Sequence, residues 1–323
     1  MKKICIAILL LLSAFALNSK NLRFRDDGHF KIVQFTDIHF IYGDYRSDIT
    51  YSLINEVLEK ENPDLVILTG DLIYGTPADS SLMTVLNMVS AHKIPFGIVF
   101  GNHDYEQGLD YSQMLDITKK YKYNLTETAA GINGYSNYVI PVKSSDGKKD
   151  AAILYCLDSN TYSRIDGVRG YDHLHFDQIA WYMDKSREYT SANGGSPVQS
   201  YAFFHIPLPE FSLAASDQTS TLIGTRMEQV CSPALNSGMF AAVKEMKDIK
   251  GIFVGHDHDN DYAVAYNGVL LAYGRYSGGN TVYNHLESGA RVIELTEGGS
   301  SFTTWIRLKS GKIVNKVTYP DSF

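Results

Sequence analysis

Cysteine is scarce in this chain. Of 323 residues only Cys5, Cys156 and Cys231 carry a thiol, and none has a second cysteine nearby. That spacing excludes the paired thiolates of a structural zinc site. An excess of basic residues is missing too: 29 Lys and Arg stand against 36 Asp and Glu, a net charge of -7. A protein that grips nucleic acid through its phosphates carries the opposite balance, so no stable nucleic-acid binding is expected. The acidic balance does not exclude a small phosphate-bearing substrate, because bound cations would bring the positive charge to the site.

What is present begins at the N-terminus. Lys2 and Lys3 precede an apolar run, Ile4 to Leu12, and Ala14-Phe15-Ala16 then offers small residues around a cleavage point. This reads as a secretory signal peptide over residues 1–16, with residues 17–323 forming one domain. The other reading, a membrane anchor, suits the run poorly, because spanning a bilayer takes roughly 20 apolar residues. A secreted or periplasmic protein without an anchor is therefore expected. Cleavage removes two lysines and no acids, taking the charge from -7 to -9. It also leaves two cysteines. Export permits Cys156 and Cys231 to pair, and two unpaired buried thiols are the other possibility.

From residue 30 the pattern alternates. Lys31–Phe35, Asp64–Leu68 and Pro95–Phe100 read as strands, the second a near-continuous apolar run of the kind found in buried parallel strands. Between them, Leu53, Ile54, Val57 and Leu58, and then Leu82, Val85, Leu86 and Val89, fall on one face of a helix each. The second half is richer in β. Its candidate strands are 137–142, 151–157, 200–204, 251–254, 262–266, 269–273, 290–295 and 302–308, with one helix over 176–189. Asn267-Gly268 signals a hairpin turn. The expectation is an α/β fold: two packed sheets with outer helices.

The apolar strands end in residues that bind metals. The first ends in Asp37-Ile38-His39, the second in Gly70-Asp71, the third in Gly101-Asn102-His103-Asp104. Later strands end in His205 and in Gly255-His256-Asp257-His258. Ligands of α/β sheets bind at the carboxyl ends of strands, so five segments would deliver His, Asp and Asn to one edge. Imidazole with carboxylate suits zinc, iron or manganese. Seven candidate ligands exceed the need of one ion and suffice for two if a carboxylate bridges them. Asp71, alone at the middle strand end, is the natural bridge.

Taken in order, Asp37-x-His39, Gly70-Asp71, Gly101-Asn102-His103-Asp104, His205 and Gly255-His256-x-His258 resemble the signature of calcineurin-like metallophosphoesterases. Segments 204–211, 254–261, 273–275 and 289–292 resemble more narrowly the branch related to purple acid phosphatases. The resemblance implies a four-layer αββα sandwich of two mixed sheets flanked by helices. It implies Asp37, His39 and His258 on one metal, Asn102, His205 and His256 on a second, Asp71 bridging, and His103 beside the metals without ligating them. Two divalent or mixed-valence ions (Mn, Zn or Fe) are the expected cofactors. One position departs from the pattern. The family usually has Asp or Asn three residues after Gly-Asp, and here Tyr74 stands there. Purple acid phosphatases carry Tyr there as an iron ligand, but usually with Gly where this chain has His39. With both present the patterns mix, and with His39 as ligand Tyr74 is expected to pack nearby.

Two metals about 3.5–4 Å apart can clamp a phosphoryl group and activate water. The expected activity is hydrolysis of small-molecule phosphate esters, as a phosphomonoesterase, by a metal-bridging hydroxide in line with the leaving alcohol. Asn102 would also orient a phosphate oxygen, His103 would protonate the leaving oxygen or stabilise charge, and Asp104 would orient His103. Arg275 is a candidate phosphate contact, the alternative being a salt bridge. His173 and His175 offer a second chelate or ordinary hydrogen bonds. Arg226 and His285 carry less. Asp257, Asp259 and Asp261 read as supporting or solvated carboxylates, His29 and His92 as surface residues. The alternatives are a phosphodiesterase or nucleotidase at the same site, and a catalytically silent metal-binding protein that recognises a phosphorylated partner.

Overall fold

The computed structural model describes residues 22–299 and 301–323; the expected signal peptide lies outside them. Thirteen strands run β1 (His29–Phe35), β2 (Leu65–Thr69), β3 (Phe96–Val99), β4 (Tyr138–Lys143), β5 (Asp150–Cys156), β6 (Ser200–Phe203), β7 (Leu222–Ile223), β8 (Ile249–Val254), β9 (Ala263–Tyr266), β10 (Val269–Tyr273), β11 (Gly289–Thr296), β12 (Phe302–Leu308) and β13 (Ile313–Tyr319). Six α-helices accompany them: α1 (Asp48–Glu61), α2 (Ala78–Ala91), α3 (Tyr111–Thr118), α4 (Phe176–Ala192), α5 (Pro209–Ser216) and α6 (Met239–Met246).

The strands form two mixed sheets, ordered β13-β12-β11-β1-β2-β3 and β4-β5-β6-β8-β10-β9-β7. β1, β2 and β3 are parallel, as are β5, β6, β8 and β10. The continuous apolar runs of these parallel strands follow from burial on both faces, because successive side chains point to opposite sides. Ile32, Leu65 and Ile67 enter the core between the sheets, where they meet Leu154, Phe203, Phe253 and Leu270. Their neighbours Val33, Val66 and Leu68 face outward onto Leu53, Ile54 and Val57 of α1 and Leu82 and Val85 of α2. On the far side Ile153, Ala202 and Ile252 pack under Ile179 and Tyr182 of α4 and Val243 of α6. Three apolar layers thus separate helix, sheet, sheet and helix, and the four-layer arrangement is observed.

Asn267 and Gly268 join β9 to β10 with φ values of 46° and 76°. Two left-handed residues between the paired Tyr266 and Val269 make the tight hairpin expected there. Cys156 is buried and Cys231 half-buried, and they do not pair. No helix of the described residues is long and apolar enough to cross a membrane.

Some elements gave no sequence signal. Helices α3, α5 and α6 have eight residues each, too short for a face to repeat convincingly. β7 has two residues, and β13 leaves most of its side chains partly exposed, so neither shows a clean alternation.

Candidate metal centre

The chain turns sharply where the parallel strands end. Asp37, His39, Asp71 and His256 have positive φ, at 51°, 47°, 52° and 82°. Left-handed backbone is uncommon outside glycine and costs of order 1–3 kcal/mol where the surroundings must enforce it. Four such residues at three strand ends, those of β1, β2 and β8, bring the polar side chains back over one edge of the two sheets. Close backbone approach fixes them there. A Cβ on Gly101 would collide with the backbone and carboxylate of Asp71, and one on Gly255 with Thr36 and Asp37.

Two buried groups result, Asp37 with His39 and His258, and Asp71 with His205 and His256. Asp71 serves both: its Oδ2 lies 3.4 Å from His39 Nε2 and 3.1 Å from His205 Nε2. Asp37 Oδ1 lies 3.5 Å from His258 Nε2 and 4.0 Å from His205 Nε2. Outer contacts set the tautomers. His205 Nδ1–H donates to the Thr69 carbonyl at 2.8 Å and His258 Nδ1–H to the Val282 carbonyl at 2.6 Å. Each then presents Nε2 to the centre.

The electrostatics suit cations. Burial alone would lower the His205 pKa, but Asp71 outweighs it and raises it to about 10. Burial likewise opposes, and Asp37 overcomes it, at His258, which rises to about 9. Burial works to raise Asp37 and Asp71, yet the facing histidines hold both below the ordinary carboxylate value. Burial, helped by the charge on His205, pushes His256 down to about 3. His256 thus stays neutral with its lone pair available.

Unpaired polar atoms mark where ligands belong. Both amide atoms of Asn102 and both ring nitrogens of His256 are buried without a hydrogen bond. Buried polar groups are rarely left so, and two cations facing these atoms would satisfy them. The donor set, imidazole nitrogens with carboxylate and amide oxygens, fits zinc, iron or manganese.

His103 stands at the rim, about a quarter exposed, its ring 5.6 Å from that of His39. Its backbone N–H donates to Asp71 Oδ1 at 2.8 Å. Asp104 does not orient it. The Asp104 carboxylate is buried and accepts the amide hydrogens of Gly101, Asp71, Leu72 and Ile73 at 2.8, 3.1, 2.7 and 3.2 Å. It ties the β3 turn to the β2 turn instead. The carboxylate on His103 is Glu106, whose Oε2 accepts from Nδ1 at 2.6 Å. Sequence reasoning missed Glu106. The signal was its spacing, three residues on in a turn, where side chains can meet.

Arg275 is also corrected. It is buried, and its guanidinium is committed to Asp261 and the Glu287 carbonyl, so it is a structural ion pair and not a free phosphate contact. Asp257, Asp259 and Asp261 are buried, not solvated: Asp257 accepts from Tyr273 O–H at 2.6 Å, and Asp259 meets His285 at 2.5 Å. Arg226 donates to the Ala215 carbonyl. His173 and His175 flank the Asp172 carboxylate at 3.2 and 3.0 Å, stacked on each other, apart from the two central groups. His92 meets Asn55, and His29 is half-buried. Tyr74 stacks on His39 at 4.8 Å. Beside the centre, Tyr162 lines a cavity of about 760 Å³ together with Tyr105, Tyr111 and Tyr135.

Residues 30–260 match the family model described as calcineurin-like phosphoesterase. The chain belongs to this family. Within it, the relatives are of the purple acid phosphatase kind. An Arabidopsis thaliana protein named "Probable inactive purple acid phosphatase 14" is 31% identical over 91% of this chain and 82% of its own length. Phosphatase DCR2 of Saccharomyces cerevisiae is 31% identical over 90% of this chain and 55% of its own. A dimetal phosphatase from Danio rerio shares the fold at a TM-score of 0.63, covering 90% of this chain and 98% of that one at 13% identity. Calcineurin-like phosphoesterases are hydrolases with a dinuclear metal site, and the two groups joined by Asp71 lie where this chain offers one.

Proposed function

We propose that the chain is a dinuclear metal-dependent phosphomonoesterase. One observation carries the reading: two buried ligand groups share Asp71, and Asn102, next in the chain to the His103 N–H that meets Asp71, keeps a buried amide without a hydrogen bond. Asp37, His39 and His258 would hold one ion, Asn102, His205 and His256 the other, and Asp71 both. Bound cations supply charge against the phosphate and lower the pKa of water. The chain's own groups do the rest. Asn102 orients a phosphate oxygen through its amide. His103, at the rim with Nε2 free of Glu106, donates a proton to the leaving oxygen. The buried walls keep the dielectric low, so these contacts count for more than in water.

Some relatives carry the word inactive in their names, which supports the silent-protein reading. The cavity beside Tyr162 supports a bulkier substrate, as a nucleotidase or diesterase would take. One experiment separates all three. The full chain is loaded with manganese, zinc or iron and given a phosphomonoester and a phosphodiester, with Asp71→Asn beside it. Turnover of the monoester, lost on the order of 100-fold or more in Asp71→Asn, is expected. No metal-dependent turnover of either ester would leave the silent reading, and diester preference would replace the monoester assignment. We also infer export with cleavage after Ala16, on the pattern Ala14-Phe15-Ala16. A mature N-terminus at Leu17 in the exported fraction is the expected result, and an intact Met1 in the cytosol would end this inference.

A further inference from the structure

We infer that Glu106 is the positioning residue for His103, and that it spans the mouth of the metal centre to do so. The inference rests on the phosphoesterase reading above.

Both oxygens of the Glu106 carboxylate are engaged. Oε2 accepts from His103 Nδ1–H at 2.6 Å, and Oε1 accepts from Tyr162 O–H at 3.1 Å. The short charge-assisted bond places the proton of neutral His103 on Nδ1 and leaves Nε2 as the nitrogen that meets substrate. The backbone supports this geometry. The Glu106 N–H donates to the His103 carbonyl at 3.2 Å, and the Gln107 amide donates to the same oxygen at 3.2 Å. On its other side the carboxylate is anchored across the cleft. Tyr162 stacks on Tyr171 at 5.6 Å, and the Tyr171 ring meets His256 edge-on at 4.3 Å. One carboxylate therefore links the rim histidine to the wall that carries a candidate metal ligand.

The neighbouring residues do not compete for the role. Asp104 is spent on four backbone amides. Tyr74 meets the His103 ring face to edge at 5.0 Å, which packs it but fixes no tautomer.

The ester P–O bond breaks and its electron pair goes to the leaving oxygen. That oxygen takes the Nε2 proton of the His103 imidazolium, which becomes neutral with Nδ1–H still on Glu106. The bond from phosphorus to the incoming water oxygen forms, and the water's proton goes to solvent. A carboxylate on Nδ1 fixes the ring and aims Nε2.

The test uses the metal-loaded full chain with two monoesters: a nitrophenyl phosphate, whose leaving group departs without a proton, and an alkyl phosphate, whose alkoxide needs one. Glu106→Gln keeps the shape and removes the charge. Its kcat should fall on the order of 100-fold on the alkyl ester and by no more than about threefold on the nitrophenyl ester, with KM and metal content unchanged. In a His103→Ala background the same substitution should have no further effect. Equal losses on both esters, or an undiminished loss without His103, would overturn the role. A wild type inert on both esters would instead sink the phosphoesterase reading. The hold on His103 is then read by nitrogen NMR of the imidazole: the Nδ1–H tautomer should dominate in wild type and give way in Glu106→Gln, and an unchanged tautomer would overturn it.

Discussion

The carboxylate of Asp104 shows what one residue contributes here that is not catalysis. Oδ2 accepts from Gly101 and Asp71, Oδ1 from Leu72 and Ile73. Asp104→Asn must turn an NH₂ toward one of these pairs, so two buried amide hydrogens lose their acceptor whichever way the amide sits. Each unsatisfied group costs about 1–3 kcal/mol, so a loss of about 2–6 kcal/mol is expected for the two. Burial and the charge of Asp71 raise the Asp104 pKa to about 7, so the wild-type carboxylate is fully ionised only above that. Urea denaturation at pH 8 is therefore the proper measurement. A loss under about 1 kcal/mol would mean that Asp104 does not hold the two turns together. Its adjacency to His103 in sequence suggested a different job. The geometry reassigns that job to Glu106, because three amides of the left-handed turn at Asp71 and the amide of Gly101 point at Asp104.

At the scale of elements, the strand ends are what the fold exists to align. Gly255 follows β8 and packs on Thr36 and Asp37 after β1, joining the two sheets at the metal edge. Gly255→Ala should leave the sheets intact, since the apolar layers are untouched, but force Thr36 and the Asp37 carboxylate aside. Unchanged far-ultraviolet dichroism with loss of at least one bound ion, read by metal analysis, is the expected pair of results. Retention of both ions would show that the joint is looser than drawn. This layer was largely legible in sequence. Buried parallel strands announce themselves as apolar runs, and metal-binding residue types at their ends need no structure to notice. Arg275 was misread because its partner, Asp261, is fourteen residues away by number and enters hydrogen-bond range only through the fold. The short helices α3, α5 and α6 are held by packing on the sheets, which leaves little trace in eight residues.

For the whole molecule, the site couples folding to protons and metal. Without metal, His258 and His205 have folded pKa values raised to about 9 and about 10, against an unfolded value of 6.5. Groups raised on folding stabilise fully below the unfolded value, and that stability is lost as pH climbs through the folded ones. His256, lowered to about 3, contributes in the opposite sense only below 6.5. Asp104 and Asp257, each raised to about 7, have finished titrating by about pH 8. Between pH 8 and 9 the metal-free protein should therefore lose stability. Metal competes with the same protons and binds more tightly as they leave. Cations replace the positive charge that Asp37 and Asp71 otherwise take from histidine, so the loaded protein should hold its stability over that window. Calorimetry of chelator-stripped and zinc-loaded protein at pH 7, 8 and 9 should show the gap in Tm widening with pH. A gap that stays constant would mean that His205 and His258 do not exchange protons for metal, and the ligand assignment would fall with it.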